Sequence, residues 1–311
     1  MRIVGINRSA EYSPNRGEAD AAIFEAVASR LEAMGHDVVR LTDGQFQNAF
    51  PDDNPTYDAA MDELVNATER FFTMSRDGLT LMLLDILERF NHILCINAPQ
   101  GISLCNDRHR LYLQLRKGGL QQPPTQFGSL YDDRLPNDPA DAFELVEQLT
   151  YPVWIKSCYG AARVSEDVVF AADKPQALNA LEASKERQVG EVAFCQHITG
   201  DLIKFYGVSG TSFFDWAYAD ASSSKFGQET LNGVPRHYPF NAQLLQDRCT
   251  ATAERIGVPV FGGDAVIRAD GTAVIIDFND WPSFSRCTQA AADAIATRII
   301  NSNPNKTAYC E

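Results

Sequence analysis

A chain of 311 residues that is 45% hydrophobic and 22% charged has the makeup of a globular protein large enough for two or three lobes. Its formal net charge of −14 gives no electrostatic reason to bind nucleic acid or an anionic membrane, and reads as a solubility feature. Seven cysteines stand singly with no CxxC pair, so reduced, buried thiols in a reducing cytosol are expected. The start, Met1-Arg2-Ile3-Val4-Gly5-Ile6-Asn7, runs straight into a strand and does not have a signal-peptide pattern. The longest apolar stretch, residues 79–87, is broken by Asp85 and is too short to span a bilayer. A cytoplasmic protein with no membrane partner is the resulting expectation.

The first third alternates strand and helix. Residues 2–6 read as a buried strand, 19–34 as a helix closed by Gly35, and 37–41 as the next strand. A third strand is expected at 67–74, a helix at 79–89 and a fourth strand at 92–97. Such alternation predicts a parallel βαβ sheet. A helix at 106–117 follows, stopped by Gly118-Gly119, and Pro123-Pro124 opens an extended crossing. Beyond it the pattern turns to strand-rich α+β. Strands are expected at 152–157 and 168–171 and a helix at 174–184; two more strands, 192–198 and 202–208, are joined by Thr199-Gly200-Asp201. The chain closes with a helix at 241–256, a hairpin at 261–277 and a helix at 290–301. The expected division is an N-terminal α/β lobe at 1–104, a central lobe at 105–199 and a C-terminal lobe at 200–311.

The hairpin carries the strongest chemical signal. Asp270-Gly271 is a preferred two-residue turn. Centred there, the strands place Val266 opposite Ile275, Ile267 opposite Val274, and Asp264 opposite Asp277. Strand alternation then puts Asn279 on the same face as Asp277. Two carboxylates directly opposite sit roughly 5 Å apart and repel. A divalent cation offsets that repulsion, and Mg2+ favours one or two carboxylates together with substrate phosphates. The plainer alternative is two solvated acids at strand ends, which the apolar flanks disfavour.

The run Asp264…Asp277-Phe278-Asn279, followed by Asp280-Trp281-Pro282-Ser283, resembles the metal-binding hairpin of ATP-grasp enzymes. The resemblance implies an ATP-grasp fold, α/β plus α+β, with the N-terminal βαβ lobe in front. It also implies ATP as cofactor and two Mg2+ ions, or Mn2+, held by Asp264, Asp277 and Asn279. Further motifs follow in the family's order. Cys105-Asn106-Asp107-Arg108, with Gly119-Leu120 and Pro123-Pro124, is similar to its opening segment, where Arg108 stands in place of the usual phosphate-contacting Lys. Val153-Trp154-Ile155-Lys156 resembles the strand whose Lys reaches the α- and β-phosphates. The loop at 157–164 would cover the phosphates with Gly160 alone, fewer glycines than is usual. Phe194-Cys195-Gln196-His197-Ile198 resembles the strand beside adenine, with backbone groups reading the base edge. Asp201-Leu202-Ile203-Lys204 would place Lys204 near the γ-phosphate.

Lys204, Arg268 and Arg286 are the expected catalytic cations, the two arginines equally open to being structural ion pairs. His109, His197 and His237 lack zinc-ligand spacing, and no P-loop run occurs. Ser209-Gly210-Thr211-Ser212 reads as a turn, and the aromatic, serine-rich segment at 213–226 as an excursion that could line an acceptor site. Base rate within the superfamily favours a carboxylate–amine ligase working through an acyl phosphate. The Asp at the head of Asp277-Phe278-Asn279 pulls instead toward a kinase like the inositol-phosphate kinases. A nucleotide-binding module without turnover is the third reading, weakened by the intact Asp264, Asp277, Asn279 and Lys156. The expected partner is a small-molecule acceptor. Many such relatives are dimers, so a homodimer is an expectation of the resemblance, while the residues themselves leave the oligomeric state open.

Overall fold

The computed structural model describes residues 1–13, 16–50, 66–135, 138–160, 164–219 and 229–303. The N-terminal part comprises β1 (Arg2–Asn7), α1 (Gly17–Ala33), β2 (Asp37–Thr42), α2 (Asp43–Gln47), β3 (Arg70–Thr73), α3 (Gly78–Asn91) and β4 (Leu94–Ile96). Its four strands are all parallel, in the order β2-β1-β3-β4. The continuous apolar run of β1 follows from that topology, since helices cover both faces of a parallel sheet. Ile23, Phe24, Val27 and Leu31 of α1 fill one face, while Phe46, Leu84 and Leu87 fill the other.

The connection that follows is two helices rather than one. Pro99 opens α4 (Pro99–Cys105), and Asp107 caps α5 (Arg108–Lys117) by accepting from the Arg110 N–H at 2.9 Å. The middle sheet contains β5 (Thr125–Ser129), β6 (Ala140–Asp141), β7 (Val153–Ser157), β8 (Val168–Ala171) and β9 (Glu191–Gln196), in the order β6-β5-β9-β7-β8. Helices α6 (Ala142–Leu145) and α7 (Lys174–Glu186) back it. The extended crossing after Pro124 is thus strand β5, paired antiparallel with β9.

The third sheet is built from β10 (Asp201–Val208), β11 (Phe214–Tyr218), β12 (Val260–Ile267) and β13 (Ala273–Asp280), in the order β11-β10-β12-β13. Helix α8 (Ala242–Arg255) covers one face. Helix α9 (Thr288–Asn301) packs back on α1, so the first and third sheets share a core that joins Ile3 and Val27 to Val260, Trp281 and Ile295. Asn97 reinforces this junction, donating to Val260 O at 2.7 Å and accepting from Val260 N at 2.8 Å.

The strands expected on either side of Thr199-Gly200-Asp201 are not neighbours: β9 lies in the middle sheet and β10 in the third. The intervening residues carry the chain from one to the other. Gly200 permits the crossing because a Cβ there would lie 2.3 Å from Ile267 O. No helix among the described residues is long and apolar enough to cross a membrane.

One buried acid sits inside the first lobe. Glu88 of α3 accepts from Cys95 N at 3.3 Å, while its Oε2 has no hydrogen-bond partner among the described residues. Burial pushes its carboxyl up to about 7 from an unfolded value near 4.5. Between those two values the folded chain holds a proton that the unfolded chain releases, so stability falls as pH rises through that window. The cost at neutral pH is of the order of 2–3 kcal/mol. Glu88→Gln is expected to flatten this slope and to raise the urea midpoint at pH 8 while leaving it little changed at pH 4. An identical pH slope in the variant would remove Glu88 as its source.

Candidate active site

A cavity of about 380 Å3 lies where the three sheets converge. It is lined by Arg108, Lys156, Gly160, Gln196, His197, Ile198, Lys204, Asp264, Asp277 and Asn279, so ten of the twelve residues singled out from sequence meet there. The other two do not. Arg268 is exposed at the tip of the β12–β13 hairpin, four residues along the strand from Asp264, a reach of roughly 13 Å. Arg286 is exposed and engaged with Asp215, its Nε 3.0 Å from Oδ2. Of the three expected catalytic cations only Lys204 faces the cavity.

Asp264 is opposite Asp277, by a route that differs from the expected register. The turn places Gly271 at φ +80°, with Gly271 N donating to Arg268 O and Arg268 N to Thr272 O. That geometry is a turn followed by a left-handed glycine, and it shifts the pairing by one residue. Val266 therefore faces Val274 and Ile267 faces Ala273. A bulge at Ile276 shifts the register back and restores the acid pair. The bulged carbonyl of Ile276 accepts from Lys156 Nζ at 3.0 Å, which ties the middle sheet to the acid-bearing strand. Close approach of the strands needs Gly263, where a Cβ would lie 2.2 Å from Asp277 O.

The acid pair is set among cations. Lys204 Nζ is 3.3 Å from Asp264 Oδ1, and Arg108 Nη1 is 3.5 Å from Asp277 Oδ1. Asn279 Nδ2 donates to Asp277 Oδ2 at 2.9 Å. Burial works to raise the Asp277 carboxyl, but Arg108, Lys156, the Asn279 amide and Arg76 outweigh it and hold it below the usual range. Arg108 is fixed in turn by its Nε bond to Ser157 O at 3.2 Å, and its backbone N–H donates to Cys158 O.

The donor set suits a hard cation. Asp264 and Asp277 offer carboxylate oxygens, and Asn279 retains its carbonyl oxygen once its amide is spent on Asp277. Among the described residues no group of three or more His, Cys, Asp or Glu side chains is placed to hold a metal unaided. A pair of carboxylates plus an amide fits Mg2+, which completes its shell with water and substrate phosphate oxygens.

At the far end of the cavity Trp154 Nε1 donates to His197 Nδ1 at 3.1 Å, and Phe170 stands edge-on to the same imidazole. An accepting Nδ1 means a neutral ring protonated on Nε2, and burial, which lowers the imidazole, agrees. The N–H groups of Gln196 and His197 already donate to Pro124 O and Pro152 O at 2.9 and 3.0 Å. Reading of a base edge by those two donors is therefore closed off. Gly160 adopts φ +78° and donates to Asn106 O at 2.8 Å. Residues 161–163 of the expected phosphate-covering loop lie outside the described residues, as do residues 220–226 of the aromatic segment; its described part forms edge strand β11. Cys105 and Cys158 also line the cavity, and burial raises both, Cys158 to about 12, so neither is a thiolate nucleophile.

Three arginines in the wall, Arg8, Arg16 and Arg76, were not singled out from sequence. Arg8 and Arg76 come from the segments just beyond β1 and β3, at the carboxyl ends of parallel strands where open α/β sheets bind ligands. That position is the signal by which they could have been found.

No family model and no curated protein matches this sequence. Solved structures do match over nearly the whole chain. A D-alanine–D-alanine ligase from Bacillus anthracis, complexed with ATP, is similar with a TM-score of 0.66 at 15% identity, covering 96% of each chain. A RimK domain ATP-grasp protein from Sphaerobacter thermophilus gives 0.63 at 16% identity, covering 97% of this chain and 100% of its own. VanG D-Ala:D-Ser ligase from Enterococcus faecalis gives 0.62 at 12% identity, covering 94% and 98%.

Proposed function

Proceeding from the ATP-grasp fold of this chain, we propose that it is an ATP-dependent carboxylate–amine ligase acting on a small-molecule acceptor. One observation carries the reading. Lys156, Arg108 and Lys204, from three separate elements, converge on a half-buried carboxylate pair in a single cavity. Phosphoryl transfer needs charge neutralisation and positioning more than covalent help from the protein, and this arrangement supplies both. The match to ATP-dependent ligase folds over the full length supports it.

In this reading Lys156 and Arg108 hold nucleotide phosphate oxygens, and Lys204 meets the transferred phosphoryl group. Asp264, Asp277 and Asn279 hold Mg2+, which when bound adds positive charge beside the phosphates. The neutral His197, fixed by Trp154, borders the base. An acceptor carboxylate oxygen attacks the γ-phosphorus as the bond to ADP breaks. An amine then attacks the acyl carbon, inorganic phosphate leaves, and an amide remains.

Hydroxylamine traps acyl phosphates as hydroxamates. Incubation of the enzyme with Mg·ATP, pooled metabolites and hydroxylamine is expected to yield a new hydroxamate that requires ATP, and its mass names the acid. The Asp heading Asp277-Phe278-Asn279 favours a second reading, a kinase that phosphorylates a hydroxyl. ADP together with a phosphorylated product and no hydroxamate would establish that reading and overturn the ligase.

A further inference from the structure

The longest apolar run of the sequence, residues 79–87, lies in α3, and none of it lines the cavity. Helix α3 is apolar on two opposite faces. At about 100° per residue, Thr80, Leu81, Leu84, Leu87 and Glu88 fall on the side that packs into the N-terminal lobe, and they are buried. Leu79, Met82, Ile86 and Phe90 fall within an arc of about 80° on the other side. They are 48, 53, 43 and 77% exposed. A surface helix carries charged or polar side chains on its outer face, and a helix that is apolar all round is a buried one.

The spacing of the stripe indicates what covers it. Leu79, Met82, Ile86 and Phe90 follow one another at three, four and four residues, the seam spacing of paired helices, over roughly 16 Å. A two-fold axis crossing the helix between Met82 and Ile86 brings Met82 against Ile86 of a second copy and Leu79 against Phe90, each contact occurring twice. The stripe is thus complementary to itself in an antiparallel pairing. Charge permits it. The ionised side chains flanking the stripe on α3, Asp85 and Arg89, neutralise each other, Nε to Oδ2 at 3.0 Å, so the helix brings no unpaired charge to the contact. Area permits it too. The four side chains expose about 400 Å2 of apolar surface on each copy. With the polar third or so that homodimer interfaces carry, a pair would bury about 1,200 Å2 in total, the lower end of stable interfaces.

We propose that the outer face of α3 is a self-association surface and that its occupant is a second copy of this chain, paired antiparallel about a two-fold axis through the stripe. Burial of the four apolar side chains drives the association. Phe90, the largest and most exposed of them, anchors each end of the seam. The proposal is independent of the nucleotide reading, since the stripe and the cavity share no residue.

Light scattering coupled to size exclusion, on the whole protein, tests this. The wild type is expected to run at the mass of two chains. Met82→Glu and Ile86→Lys each put a lone charge into the seam, and each is expected to run as a monomer, its dissociation constant raised by about a hundredfold or more. Both positions are exposed in the single chain, so both variants should keep the wild-type circular dichroism spectrum. An equal mixture of the two variants gives the sharper readout. The carboxylate introduced in one copy then meets the ammonium introduced in the other, the remaining Met82–Ile86 contact is native, and the dimer mass should return. A wild type of single-chain mass at every concentration up to about 100 µM would overturn the proposal and leave the stripe to a partner of another kind. So would a dimer that survives both single substitutions, which would place the two-fold axis elsewhere. A mixture that stays monomeric would overturn the antiparallel pairing.

Discussion

Asp277→Asn is expected to fold as the wild type does and to lose turnover by about a thousandfold or more. The substitution keeps the side chain's shape, and Asn can still accept one hydrogen bond where Asp277 Oδ2 takes the Asn279 amide. What disappears is one of two half-buried carboxylates, and with it the charge balance of the centre. Arg108, 3.5 Å away, and Lys156 lose the anion that sets their surroundings, and Asp264 remains as the single carboxylate for a divalent cation. The Mg2+ concentration giving half-maximal activity should rise steeply, while the melting temperature moves by only a few degrees. Turnover measured by ADP release, across a Mg2+ titration, checks this. Wild-type activity in the variant, or full activity of the wild type in excess EDTA, would remove the metal assignment.

Lys156→Met is expected to lower kcat/KM for ATP by about a hundredfold to a thousandfold, through loss of one preorganised cation at the phosphates. The same change leaves the bulged Ile276 carbonyl without its 3.0 Å donor and removes a cation that lowers the Asp277 carboxyl. Lys156 is largely buried, so the lost bond should also cost about 1–3 kcal/mol in folding stability. Calorimetric AMP-PNP binding separates the two effects: affinity should fall at temperatures where the variant remains folded. Unchanged affinity would make Lys156 a structural strut between sheets with no part in holding nucleotide.

Much of the site was legible in local sequence. The short apolar run ending in Lys156 announced a buried strand with a cation at its end, and the structure has that strand as β7. Asp264 and Asp277 were recognisable as partners because strands alternate and Asp-Gly marks a turn. That argument reached the right pair through two one-residue shifts that cancel, one at Gly271 and one at Ile276. Neither shift has a local signature strong enough to place it. Arg268 shows the limit from the other side, since its nearness to Asp264 along the chain says nothing about which end of the strand meets the cavity.

By itself the sequence determined the alternation of elements, the N-terminal parallel sheet and the residues that could carry phosphate and metal chemistry. These follow from backbone periodicity and from side-chain type, both of which are written locally. Only the tertiary structure decided that β9 and β10 part into different sheets, and that Arg286 faces Asp215. It alone placed Arg8 and Arg76 in the cavity wall, bonded to Trp281 and Asp280 across separations of 273 and 204 residues. Contacts of that range depend on how finished surfaces pack, and packing leaves no period along the chain to read.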